Sequence, residues 1–148
     1  MSQIVGDVLI EAINDEYKAR ATYRHVIKQF GKIRPFVNIL EAESRHVEAL
    51  LPLFHKYGVT IPEDDWDSRV VVPQSVKEAC QAGVDAEIAN AKMYERLIQQ
   101  AAEYPDIQQV LEQLKRASAE NHLPAFRRCV ERGGHQGQGW GHGRCRSD

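Results

Sequence analysis

The stretch Phe36-Val37-Asn38-Ile39-Leu40-Glu41-Ala42-Glu43-Ser44-Arg45-His46 decides how this chain folds. With Leu50 and Leu53 further on, Phe36 and Ile39 mark one stripe of a helix at the three-and-four spacing of a core-facing seam. Two members of the stripe are not apolar. Glu43 and His46 stand in it one helical turn apart, so both side chains leave the helix on the same face. Charge on a buried stripe is costly unless something offsets it. A divalent cation, which suits mixed carboxylate and imidazole ligands, is the leading way to do so.

The same organisation extends in both directions. A first helix is predicted from about Gln3 to Phe30, with Val5, Leu9, Ala12, Ala19, Tyr23, Val26 and Phe30 on its seam, Glu16 filling the gap and Gly31 closing it. The second starts near Pro35 and ends before Gly58. A third opens at Ser75, with Glu78 completing a capping box, and its seam reads Val76, Cys80, Gly83, Glu87, Asn90, Tyr94, Leu97, Ala101. The fourth follows Tyr104-Pro105-Asp106 and ends at Gly133-Gly134, with Leu111, Leu114, Ser118, His122, Ala125 and Cys129 facing inward. No stretch alternates as a strand does, so the chain reads as all-α. Short links make two antiparallel helix hairpins. The long link from about Val59 to Gln74, with Pro62, Pro73 and the acidic run Glu63-Asp64-Asp65, can cross the length of a bundle. Two hairpins joined by one long crossover make the ferritin-like four-helix bundle, predicted here for residues 1–132.

Composition narrows the function. The chain has 148 residues, enough for one real core, and a net charge of −2 that offers nothing to nucleic acid or an anionic membrane. No apolar run has the length of a membrane span. Asp7, Glu11, Asp15 and Glu16 interrupt what would be a leader's apolar stretch, so a cytoplasmic protein is expected. Cys80, Cys129 and Cys145 form no CxxC pair and suggest no disulfide framework.

Seven residues separate Glu16 from Tyr23, and seven separate Glu87 from Tyr94; each half then supplies a seam histidine, His46 or His122. Facing halves would bring Glu16, Glu43, His46, Glu87 and His122 to one level of the core. Each has a plain reading alone: Glu43 can pair with His46, Glu16 with Arg20, and His122 can be structural. The repetition favours a metal site. His25 and His55 fall nine residues beyond Glu16 and His46, about half a rotation away, and are expected on the surface.

The run Glu16-Tyr17-Lys18-Ala19-Arg20-Ala21-Thr22-Tyr23, followed by Glu43-Ser44-Arg45-His46, resembles the first half of the rubrerythrin and ferritin-like di-iron carboxylate proteins. Glu120-Asn121-His122-Leu123-Pro124-Ala125-Phe126, with Ile39 to His46, is similar to a bacterial and archaeal ferritin-like family of unassigned function that carries Asn-His-Leu-Arg-Ala-Phe. The resemblance covers about residues 5 to 132. It implies iron, one or two ions, with another divalent metal as the alternative. Glu16 would be a terminal ligand, Glu43 a bridging one beside His46, and Glu87 and His122 ligands from helices three and four. It further implies oxidation of ferrous iron with oxygen or peroxide, and a homodimer. Tyr23 and Tyr94 would hydrogen-bond the ligands, quench radicals, or serve as ordinary core aromatics. The pattern departs at Ala119, where rubrerythrins carry a second bridging Glu three residues before the helix-four His. Glu120 lies about 100° round the helix and substitutes only if the helix distorts, as Pro124 could make it. Ala119→Glu is then expected to raise metal stoichiometry. No rubredoxin-like Cys₄ segment is present, so activity would need an external reductant.

Residues 133–148 are glycine-dense and read as a flexible tail, in which His135, His142 and Cys145 either chelate a metal or are incidental. The competing functional class is a non-catalytic helical module that dimerises or docks a partner around an empty site.

Overall fold

The computed structural model describes residues 3–133, and every regular element among them is helical. Helix α1 (Gln3–Phe30) and α2 (Phe36–Tyr57) form the first hairpin, turned by Gly31 at φ 96°. Such a backbone conformation is cheap only for glycine. Gly58, at φ 65°, ends α2 in a Schellman motif: Val59 N–H donates to the Phe54 carbonyl at 3.0 Å and Gly58 N–H to that of His55 at 3.4 Å. Helix α3 (Val76–Gln100) begins as its sequence predicts. Ser75 Oγ accepts from Glu78 N–H at 3.1 Å, although the Glu78 carboxylate reaches Gln74 N–H, one residue before the cap.

The fourth helix differs from its expected single run. It comes as α4 (Pro105–Ala117), a π-helical turn over Ser118–His122, and α5 (Leu123–Glu131). Pro124 has no N–H to donate to the carbonyl one turn back, so an unbroken α ladder is unavailable there. The chain widens instead, and Leu123 N–H donates to the Ser118 carbonyl five residues earlier.

The long connection between the hairpins contains one 3₁₀ turn, Trp66–Ser68, and lies along α1. Its acidic residues have partners there. Asp64 pairs with Arg20 at 3.0 Å and Asp67 with Arg24 at 2.7 Å. Tyr17 Oη donates to the Pro62 carbonyl at 3.1 Å, and Trp66 Nε1 to Asn14 at 3.2 Å. Arg20 is thus taken by the crossover and not by Glu16, which faces the interior.

Two apolar clusters fill the bundle. One holds Leu9, Ile13, Leu50, Phe54, Tyr94, Leu97, Ile107 and Leu111. The other centres on Tyr23, Phe36 and Phe126, whose ring centroids stand 5.3–5.9 Å apart. Gly83 belongs to this second end because a Cβ there would meet the Phe126 ring at 2.7 Å. Cys80 and Cys129, both fully buried, are joined as a disulfide between α3 and α5. That corrects the reading of the cysteines. Their 49-residue separation leaves no local motif, and only the packing of the second hairpin brings them together. Among the described residues, no helix is long and apolar enough to cross a membrane.

Candidate metal centre

Between the two apolar clusters lies a buried polar layer: Glu16 from α1, Glu43 and His46 from α2, Glu87 from α3, and His122 from the π turn. Each is under a tenth exposed. They form two groups whose ligand-type atoms lie within 4.8 Å of one another, Glu16 with Glu43 and His46, and Glu43 with Glu87 and His122. Glu43 belongs to both. His46 Nδ1 is 3.3 Å from Glu16 Oε1 and 3.3 Å from Glu43 Oε1. His122 Nδ1 is 3.5 Å from Glu43 Oε2 and 3.5 Å from Glu87 Oε1. The two imidazole rings stack at 5.4 Å between centroids.

These spacings suit a shared cation. Two donors each about 2.1 Å from a tetrahedral ion stand about 3.4 Å apart. The orphaned atoms make the stronger test. Glu43 Oε1, Glu87 Oε1 and His122 Nδ1 are buried without a hydrogen-bond partner, in a layer where an unsatisfied polar atom is costly. All three belong to the second group or to the residue both groups share. The donor set therefore fits a divalent ion of the kind that takes mixed oxygen and nitrogen ligands.

Further hydrogen bonds cross the bundle reciprocally. Tyr23 of α1 donates to Glu87 Oε2 of α3 at 3.0 Å, and Tyr94 of α3 donates to Glu16 Oε2 of α1. Each tyrosine thus serves the carboxylate of the other half and leaves that carboxylate's second oxygen for the centre. Burial first, then the facing glutamates, push both phenols well above their usual pKa, so they remain donors. Burial also pushes Glu43 well above the carboxylate range, with the Glu16 charge adding to it. For Glu16, burial acts upward but is outweighed by hydrogen bonds with Glu43, His46 and Tyr94, and its pKa falls to about 2. Of these two carboxyls, Glu43 is the one that burial and its neighbour's charge bias towards the protonated form.

The π turn alters the expected register at helix four. In a uniform α-helix the residues three and four before His122 both flank its face. A π turn takes more residues per revolution, so Ser118 comes under His122 and Ala119 rotates off. Ser118 is buried and Ala119 exposed. Ala119 therefore does not face the polar layer in this structure. Glu120, the proposed substitute, is exposed and sits 3.7 Å from Arg116. The distortion at Pro124 occurs but turns Glu120 outward. Ser118 Oγ instead donates to Asn90 Oδ1 at 2.6 Å, and Asn90 Nδ2 donates to Asp15. Burial raises Asp15 to about 6 against the Asn90 hydrogen bond that lowers it. Asp15 and its chain to Ser118 were missed from sequence. Asp15 precedes Glu16 off the main stripe, and only the partner asparagine across the bundle would have marked it.

Of the control histidines, His55 is exposed as expected. His25 is instead half-buried, with Nε2 3.5 Å from Asp67, because the crossover covers that part of α1. His135, His142 and Cys145 lie outside the described residues.

A family model described as an uncharacterized protein domain (DUF2202) matches residues 6–140, and the chain belongs to that family. No curated protein matches the chain. Among solved structures it is similar to the hypothetical protein MJ0754 from Methanococcus jannaschii DSM 2661, at 27% identity and a TM-score of 0.79, over 90% of this chain and 83% of that one.

Proposed function

We propose that this protein is a ferritin-like metalloprotein that would hold iron, one or two ions, with Glu43 shared between two adjacent ligand groups, and that it oxidises ferrous iron with oxygen or peroxide as acceptor, or reduces peroxide at the expense of an external reductant. The observation that carries this reading is Glu43 itself. It is the one residue common to both ligand groups, its two oxygens face different histidines, and one of them has no other partner. Glu16 and His46 would complete one position, Glu87 and His122 the other. Bound iron would supply one-electron redox chemistry and Lewis acidity. The chain's residues do the rest. Tyr94 and Tyr23 orient Glu16 and Glu87, the two apolar clusters pack the bundle on either side of the polar layer, and Glu43 surrenders its proton when a cation arrives.

The test is metal analysis of full-length protein expressed in iron-supplemented medium, beside Glu43→Ala. Iron is expected in the parent and should be largely lost from the variant. Protein that carries no metal, and whose stability is unchanged by Glu43→Ala, would instead be the non-catalytic module.

A further inference from the structure

Helix α2 packs less closely against the fourth helix than the other neighbouring pairs do against one another. That seam opens into a cavity of about 360 Å³, at the lower end of the range for small-molecule sites. His46 and His122 lie at its buried end. Arg34, Arg45, Arg128 and Arg132 also line it, and no acidic side chain does. Arg45 and Arg128 are exposed and have no acidic partner among the described residues.

A second cavity, of about 140 Å³, reaches the same layer from between α1 and α3. Its ionisable lining is mostly acidic: Asp15, Glu43 and Glu87 against Lys18. The polar layer therefore has two approaches of opposite charge. The α1–α3 side suits a cation, and the α2–α5 side suits an anion.

We infer that the arginine-lined cavity is a binding site for a small oxyanion, a phosphate or an organic carboxylate, held by Arg45 and Arg128 with its inner end at His46 and His122. This inference deepens the metal reading and rests on it for the role of the inner end. Two divalent ions bring four positive charges, and Glu16, Glu43 and Glu87 bring three negative ones. One further anion balances them. Hydroxide from water would need no arginines. The planar guanidinium fork matches carboxylate and phosphate oxygens in pairs, and Arg45 and Arg128, with no acidic partner among the described residues, leave their charge to a ligand. His46 and His122, from facing helices, form the inner end of the cavity, so a ligand held by the arginines would end beside the polar layer.

The experiment is calorimetric titration of full-length protein, metal-loaded and metal-free, with inorganic phosphate and separately with oxalate, alongside Arg45→Gln/Arg128→Gln. Metal content is measured on every sample. The expected result is saturable binding of one or both probes, weakened about tenfold or more in the double variant with metal content unchanged. Which probe binds identifies the anion class. Both arginines are exposed, so folding should survive; Arg45→Lys/Arg128→Lys, which keeps the charge and loses the fork, should fall between. No saturable binding by metal-loaded protein, or equal binding by the double variant, overturns the anion site and leaves the metal reading standing. A protein that takes up no metal but binds a probe through Arg45 and Arg128 has the opposite meaning: the anion site holds and the metal reading fails.

Discussion

Glu43 is where charge, protonation and metal binding meet. Three carboxylates share a buried layer with two imidazoles, and burial with the Glu16 charge raises the pKa of Glu43, which favours a proton there. A cation must displace the proton. Because the pKa of Glu43 is raised, the protonated form persists to higher pH than in a free carboxylate, and metal uptake should strengthen as pH rises. Uptake measured in two buffers of different ionisation enthalpy should therefore differ in heat, reporting a released proton. In Glu43→Gln the difference should shrink and stoichiometry should fall. Buffer-independent heats in the parent protein would contradict this assignment of the proton. The five polar seam residues were readable from sequence because the 3.6-residue period places a core face without knowledge of partners. Asp15 was not, since its inward direction depends on Asn90 from a helix seventy-five residues away.

At the scale of the element, the π turn carries the main surprise. Periodicity predicted that helix four exists and that Ser118 and His122 lie on its seam, and both are buried. It could not say that the turn between them would widen, because the consequence of Pro124 is chosen among a kink, a break and a π turn by packing. The widening moves the position that matters from Ala119 to Ser118. Ala119→Glu should accordingly leave metal content unchanged, since the new carboxylate would lie in solvent. Ser118→Glu would put a fourth carboxylate against the layer, where Ser118 is 2% exposed. That should lower the melting temperature of the metal-free protein, because an unpaired buried charge costs several kcal/mol, and make the rise on metal addition larger than in the parent. Metal analysis and thermal melts of the two variants check this. A rise in stoichiometry with Ala119→Glu would mean that a regular α-helix is the form that binds metal.

For the molecule as a whole, the hairpins and the crossover follow from link lengths, but the path of the crossover and the pairing of the cysteines do not. Both depend on contacts between distant residues. Arg20 and Arg24 hold the acidic strap along α1, and Cys80 meets Cys129 only once α3 and α5 pack. The disulfide ties the helix bearing Glu87 to the one that follows His122, at the end of the bundle occupied by Tyr23, Phe36 and Phe126. Closing a loop across a 49-residue separation removes unfolded-state entropy worth about 4 kcal/mol in the chain-entropy account. For a domain of this size, that corresponds to a loss of about 10 °C in melting temperature for Cys80→Ala/Cys129→Ala. Both cysteines are buried, so the bond should open slowly in the folded protein and quickly once it is denatured. Thiol titration in denaturant without reductant separates the alternatives. One reactive thiol, that of Cys145, is expected from the three cysteines of the chain. Three reactive thiols in air-handled protein, together with an unchanged melting temperature in the double variant, would show that α3 and α5 are held by packing alone.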